Sequence, residues 1–275
     1  MRMPLINVVM PAFDRQETIA YTIEIVLNRR HENFELILVD DASRDSTLEI
    51  MRFYEARDDR IRIFCNQNNS RESPVEWEPR NDGLKVARGK LVAYLDSDNL
   101  WSPGFLEICA RSFLDDNNVK LSCCNSRNHY KDAEQFEFVL KNDKRRLISS
   151  SQVNMTAAFS YDLAGIGTDD SWYIDTNEMM HRSDVFQDLE YLWATRHPDR
   201  AKINAGQLVR WVYRRHNDQE LAERIIGRYG LSAVNKIDDI LVEFFLYRDS
   251  IGSCRFVSKR KSMRFLQRRR LNRDR

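Results

Sequence analysis

The sequence predicts an α/β protein built on a mainly parallel sheet, and three observations carry that expectation. Short apolar runs alternate with stretches of helical periodicity over the first hundred residues. Acidic residues follow the second and fourth apolar runs directly, at the strand ends where open α/β sheets bind ligands. No internal repeat and no Gly/Pro/Ser linker divides the 275 residues, so the second half is read as completing the same unit.

Taken in order, Leu5–Met10 is the first strand, stopped by Pro11 and the polar Asp14-Arg15. Glu17–Leu27 places Ile19, Ile23, Val26 and Leu27 at helical spacing. Phe34–Val39 is the second strand and runs into Asp40-Asp41. Asp45-Ser46-Thr47 caps a helix through Glu55, with Leu48, Met51 and Phe53 as its apolar contacts. Arg60–Cys65 and Leu91–Leu95 are the third and fourth strands. Asp96-Ser97-Asp98 follows at once, and Ser102-Pro103 reads as a helix start. Later, Phe136–Leu140 looks like a strand, and Ser183–Thr195, Gln219–Tyr229 and Val234–Tyr247 look helical.

Composition narrows the function. The aromatic content of 11% and hydrophobic content of 42% exclude a disordered chain. The net charge of +1 hides a bipolar molecule, since residues 255–275 hold ten basic residues and one acid, against 33 and 41 in the rest. That tail interleaves cations with Phe256, Val257, Met263, Phe265, Leu266 and Leu271. It suits an anionic membrane surface. Nucleic acid would use the same charges, and a plain solvated tail is the bland alternative. Five irregularly spaced cysteines with no C-x-x-C form neither a disulfide framework nor a zinc site. A reducing compartment is therefore expected. With no signal-peptide pattern and no spanning run, the expected location is cytoplasmic, peripheral on the inner face of a membrane.

Asp96 and Asp98 flank a sharp strand exit, where two carboxylates can reach one hard cation such as Mg²⁺ or Mn²⁺. A solvated turn is the bland reading of the same three residues. Asp41 is either a turn residue or an acceptor for a ring N–H. There is no G-x-G-x-x-G after the first strand and no P-loop, so phosphate has to be held through a metal and basic side chains.

Read together, VVMPAFDRQETI (8–19), LILVDDASRDST (36–47) and RNDGLKVARGKLVAYLDSDNLW (80–101) resemble the successive blocks of family-two glycosyltransferases of the GT-A fold. The resemblance implies a Rossmann-like nucleotide-binding half (1–105) fused to an acceptor-binding half (106–217), and the residue pattern adds C-terminal helices (218–254) and the basic tail (255–275). It implies that Pro11, Ala12 and Phe13 line the base and ribose, that Asp41 pairs with the base, and that Arg80 and Asn81 face the nucleotide. Asp96 falls near ribose and metal, and Asp98 is the principal metal ligand. Asn99 stands where a third Asp is frequent. VYRRHN (212–217) resembles a late element whose histidine completes the metal shell, which makes His216 a candidate ligand, with a surface histidine as the alternative. For the catalytic base, Asp188 ahead of Leu192-Trp193 is the first candidate and Asp199 the next, followed by Glu178 and Asp175.

The implied activity is metal-dependent, inverting transfer of a sugar from a nucleotide-diphospho-sugar, UDP-linked at first guess, to a glycan or lipid-linked hydroxyl in polysaccharide biosynthesis. A nucleotidyltransferase is a rival, although Ala12–Glu17 lacks the Gly and Lys its loop needs. A non-catalytic module working through its basic tail is the other.

Overall fold

The computed structural model describes residues 3–29, 31–70, 79–130, 155–159, 174–189 and 217–246. These form β1 (Ile6–Ala12), α1 (Ile19–Leu27), β2 (Phe34–Asp40), α2 (Thr47–Glu55), β3 (Ile61–Cys65), α3 (Pro79–Val86), β4 (Leu91–Tyr94), β5 (Leu100–Trp101) and α4 (Phe105–Asp115). Then come β6 (Leu121–Tyr130), β7 (Met155–Phe159), β8 (Met179–Arg182), α5 (Val185–Asp188), α6 (Asn217–Tyr229) and β9 (Val234–Leu246). A 3₁₀ turn at Thr176–Glu178 leads into β8.

The chain divides into two compact units, Met1–Ser126 with Ser160–Val242, and Arg127–Phe159 with Glu243–Arg275. In the second, β7 pairs with β6, and Arg127 meets Glu243 at 3.2 Å. The first holds the sheet, in the order β3-β2-β1-β4-β8-β6-β9-β5. The run from β3 to β4 is parallel, with Ile6 of β1 opposite both Phe34 and Leu91. β8 then runs antiparallel to β4, placing Met180 opposite Ala93 and Arg182 opposite Leu91.

β1, β2 and β4 are largely apolar runs because both their faces are covered, whereas the edge strand β3 carries Arg62 and is only partly buried. Every residue of β2 is buried, as are Ile6, Val8, Val9 and Met10 of β1. α3 rests on β1 and β2. It comes that close because Gly83 has no side chain: a Cβ there would lie 2.6 Å from Val9 Cγ1. The entry to β4 is pinned to β1 by Asn7, wholly buried. Its Nδ2 donates to the carbonyls of Gly89 and Leu91, and its Oδ1 accepts from the N–H groups of Arg88 and Gly89. Just past α1, the guanidinium of Arg29 donates to the carbonyls of Trp101 and Ser102, tying β5 down.

His181 on β8 is fully buried. Its Nδ1 lies 2.8 Å from the Arg182 carbonyl and must donate there, so Nε2 accepts the Tyr94 hydroxyl at 2.8 Å. Burial disfavours the imidazolium and pushes the pKa down from 6.5 to about 4. Between those values the unfolded chain binds the proton and the folded one does not, so stability falls as pH drops from 6.5 to 4. The expected loss over that window is about 3 kcal/mol. His181→Gln, which keeps a hydrogen-bonding side chain, should flatten urea-unfolding free energy against pH across this range. An unchanged slope would contradict the assignment.

Several expectations are corrected. Val234–Leu246 is a strand, not a helix. Its apolar residues fall at helical spacing, but the β-branched Val234, Ile237, Ile240 and Val242 fit a strand between β6 and β5, and tertiary pairing overrides the periodicity. The expected set of C-terminal helices is therefore reduced, among the described residues, to α6. β1 continues through Pro11 to Ala12, because β4 partners β1 only as far as Val9 and a missing N–H is tolerated beyond it. α4 starts at Phe105 behind Gly104, two residues past the expected cap. Phe53 is not a core contact: it is half exposed, with the Arg57 guanidinium 3.4 Å from its ring centroid. The helix expected over 183–195 is α5, which ends where Leu189 turns extended. Phe136–Leu140, residues beyond 189 in that helix, and the basic tail lie outside the described residues.

Candidate functional site

The C-terminal ends of β1, β2 and β4 lie side by side, and three segments converge there. The β1–α1 and β2–α2 loops are laced together. Asp14 N–H donates to Ser43 Oγ at 3.1 Å, Arg44 N–H to Asp14 Oδ1 at 2.7 Å, and Gln16 N–H to Asp45 Oδ2 at 3.1 Å. Ser46 N–H returns to Gln16 Oε1 at 3.1 Å. Asp14 and Ala42 take left-handed backbone, with φ of 50° and 61°. That conformation costs a non-glycine residue on the order of 1 kcal/mol and concentrates at functional loops. Pro11 and Ala12 end β1 at this edge and Phe13 follows them, with the Arg44 guanidinium 5.9 Å from the Phe13 ring centroid.

The third segment is the exit of β4. Asn99 N–H returns to the Asp96 carbonyl at 3.1 Å, closing a tight turn with Asp96 and Asp98 on either side of buried Ser97. Asp96 Oδ1 takes Arg80 Nη2 at 2.7 Å from the first turn of α3, and Oδ2 takes Asn177 Nδ2 at 3.0 Å. Asn177 Oδ1 in turn accepts the Asp96 N–H at 2.6 Å. Asp98 is paired with Arg15 Nε at 3.6 Å. Burial, and then the charge of Asp96, push the Asp98 carboxyl up to about 6 against the opposing pull of Arg15. An acid so placed is stabilised by a cation. Two carboxylates give an all-oxygen donor set that fits Mg²⁺ or Mn²⁺, leaving further positions to phosphate and water. Among the described residues no third His, Cys, Asp or Glu joins them.

The edge thus brings together Pro11, Ala12, Phe13, Asp41, Arg80, Asp96 and Asp98, with Asn81 beside Arg80 on α3. Asp41 has a tight environment of its own. Its two oxygens accept from Asn66 Nδ2, Asn69 Nδ2, Ser70 N–H and Ser70 Oγ, at 2.6–3.2 Å. A ring N–H therefore has to share or displace one of these donors.

Asp188 follows β8, whose antiparallel course leads away from this edge. Ser183 N–H bonds the Lys90 carbonyl where β4 begins, about 16 Å of strand from Asp96. Asp188 follows on α5, accepting the Tyr229 hydroxyl at 2.6 Å. Nearby, Lys120 pairs with Asp184 at 3.0 Å and lies 5.2 Å from the Tyr229 ring centroid. Asp175 and Glu178 form a capping box around Asn177, each accepting a backbone N–H of the turn. Asp199 and His216 lie outside the described residues.

Sequence reasoning missed Asn177. It is wholly buried, holds both the carboxylate and the backbone of Asp96, and accepts Trp101 Nε1 on its carbonyl at 2.9 Å. An isolated Asn carries no spacing signal. The D-x-x-E capping pattern around it was the available clue that this turn is built rather than loose.

Comparison with known proteins agrees with this architecture. TuaG of Bacillus subtilis, a putative teichuronic acid biosynthesis glycosyltransferase, is 38% identical over 104 residues, which is 38% of this chain and 40% of the relative. WfgD of Escherichia coli is named UDP-Glc:alpha-D-GlcNAc-diphosphoundecaprenol beta-1,3-glucosyltransferase. It is 33% identical over 113 residues, 41% of this chain and 42% of the relative. The chain thus spans about two fifths of the length of these curated relatives. Among solved structures, S. aureus TarS 1-349 in complex with UDP-GlcNAc superposes with a TM-score of 0.55 at 18% identity, over 90% of this chain and 60% of that one. The mannosyltransferase PcManGT of Pyrobaculum calidifontis, in complex with GDP-Man and Mn²⁺, gives 0.56 at 14%, over 88% and 57%. The fold is of the GT-A type. The profile of the family described as "Glycosyl transferase family 2" matches residues 7–183, from β1 through β8, and on that match over more than half its length the chain belongs to this family.

Proposed function

We propose that this chain transfers a sugar from a nucleotide-diphospho-sugar to a hydroxyl group, with a divalent cation at Asp96 and Asp98 and with inversion at the anomeric carbon. The observation that carries the reading is the β4 exit, where two aspartates are held by Arg80, Asn177 and Arg15 beside the C-terminal ends of β1 and β2. When bound, the cation supplies Lewis-acid stabilisation of the departing diphosphate. Arg80 adds a second positive charge beside Asp96. Pro11, Ala12 and Phe13 line the base, and Asp41 selects it once a donor of the 66–70 loop yields. UDP is the first donor nucleotide to test, since WfgD is named for UDP-Glc and TarS was solved with UDP-GlcNAc.

The acceptor is a glycan or lipid-linked hydroxyl, in keeping with the diphosphoundecaprenol acceptor in the name of WfgD. The basic tail would dock the enzyme on an anionic leaflet, where such an acceptor is presented. No helix among the described residues is long and apolar enough to cross a membrane. Of the acids considered for deprotonating the acceptor, Asp188 is engaged by the Tyr229 hydroxyl, and we propose the next candidate, Asp199, as the base. His216 is proposed as a further metal ligand.

Asp199→Asn should lower turnover roughly 10²–10⁴-fold with donor binding intact, whereas Asp188→Asn should change it less than about threefold. The reverse pattern in steady-state rates would reassign the base. The reading as a whole is tested by incubating the protein with UDP-sugars and an undecaprenyl-diphosphate-linked acceptor, with Mn²⁺ or with EDTA. Release of UDP only with Mn²⁺ is expected, and release of pyrophosphate from UTP instead would mark a nucleotidyltransferase.

A further inference from the structure

We infer that Arg15 is a donor-binding residue that exchanges the Asp98 carboxylate for the diphosphate of the nucleotide-sugar. The inference rests on the donor site proposed above and adds a residue to it. The guanidinium is held in place at its root: Nη1 donates to the carbonyls of Phe13 at 3.2 Å and Asp14 at 3.0 Å, while Nε faces Asp98 Oδ2 at 3.6 Å. Its backbone is fixed as well. Asp14 before it is left-handed, a conformation other residues adopt only where the surroundings impose it, and Arg15 N–H donates to Thr47 Oγ1 at 2.7 Å.

Arg15 therefore spans from the base-lining segment to the metal-binding acid, the path along which the diphosphate of a bound donor has to lie. Its bond to Asp98 is the looser of the two arginine–aspartate pairs, at 3.6 Å against 2.7 Å for Arg80–Asp96. A planar guanidinium matches phosphate oxygens as well as it matches a carboxylate. Before the donor arrives, Arg15 occupies charge on Asp98 that a cation also needs. With the donor present, it neutralises phosphate. Its removal should thus shift two affinities in opposite directions.

The test is calorimetric titration of the full chain with Mn²⁺ alone, and then with UDP at saturating Mn²⁺. Arg15→Gln should bind Mn²⁺ alone about 2- to 5-fold more tightly, the size of a released partly exposed ion pair. It should bind UDP roughly 10- to 100-fold more weakly, the size of a lost charge-assisted hydrogen bond. Arg57→Gln, the same charge change on the outer side of α2 where Arg57 stacks over Phe53, should move neither. Unchanged UDP affinity in Arg15→Gln overturns the inference. Weakening of both ligands together also overturns it, since that marks a collapsed loop. If the parent protein binds no UDP with Mn²⁺, the donor site itself is wrong.

Discussion

Asp98→Ala is expected to abolish Mn²⁺-dependent binding of UDP and to lower turnover by about 10³-fold or more. On the proposed function the removed carboxylate is the one that would hold the cation against the leaving diphosphate, and Lewis-acid stabilisation is a matter of several kcal/mol. The fold should survive, and survive slightly better. The Asp98 carboxyl is pushed up from 3.8 to about 6, by burial and then by Asp96, so the folded chain holds this proton more tightly than the unfolded one. Its ionisation consequently costs stability as pH rises through that interval, and at pH 7 the full penalty is present. The alanine variant should melt at a higher temperature than the parent at pH 7, in metal-free buffer. Loss of function with gain of stability is the expected signature of a site acid. A lower melting temperature together with lost binding would instead make Asp98 a structural residue.

Asn7→Leu is expected to destabilise the protein by about 3 kcal/mol or more. The substitution keeps the branched side-chain shape at a larger volume and strips the Asn7 partner from the Gly89 N–H and from the Gly89 and Leu91 carbonyls, each unsatisfied buried group costing about 1–3 kcal/mol. Arg88 N–H is cushioned, because it also donates to Glu35 Oε1 at 2.6 Å. Asn7→Asp, which keeps the acceptor but sets a buried carboxylate oxygen against the Gly89 and Leu91 carbonyls, should be at least as destabilising in urea unfolding at pH 7. Because Asn7 sets where β4 starts against β1, the leucine variant should also loosen UDP binding at Asp96 and Asp98, five and seven residues further on. A wild-type midpoint would show that the β1–β4 register is held by packing alone.

The first half of the fold was legible because its strands are apolar on both faces and are followed directly by acids. Leu36–Val39 ends on Asp40-Asp41, and Leu91–Leu95 on Asp96, so strand ends and site coincide in the sequence. β9 was not legible, because the period of Val234, Ile237, Ile240 and Leu241 is ambiguous until β6 and β5 are seen on either side. At the site, carboxylates announced themselves, whereas the groups that aim them did not. Asn177 comes 81 residues after Asp96, on a turn entering an antiparallel strand. The cradle of Asn66, Asn69 and Ser70 around Asp41 likewise depends on how a loop after β3 folds back. Asp188 could not be placed from its motif, because sequence motifs carry no strand direction and the antiparallel β8 leads away from the β4 exit before α5 begins.

On the proposed function, the edge formed by β1, β2 and β4 holds a divalent cation and a diphosphate at Asp98. Crystals of the full chain grown with UDP and Mn²⁺, measured for anomalous scattering, test it most directly. A manganese peak within bonding distance of the Asp98 carboxylate, with the diphosphate beside Arg15 and Arg80 and the base against Phe13, is the predicted result. Manganese and nucleotide both bound elsewhere on the chain, with Asp98 still paired to Arg15, would contradict it.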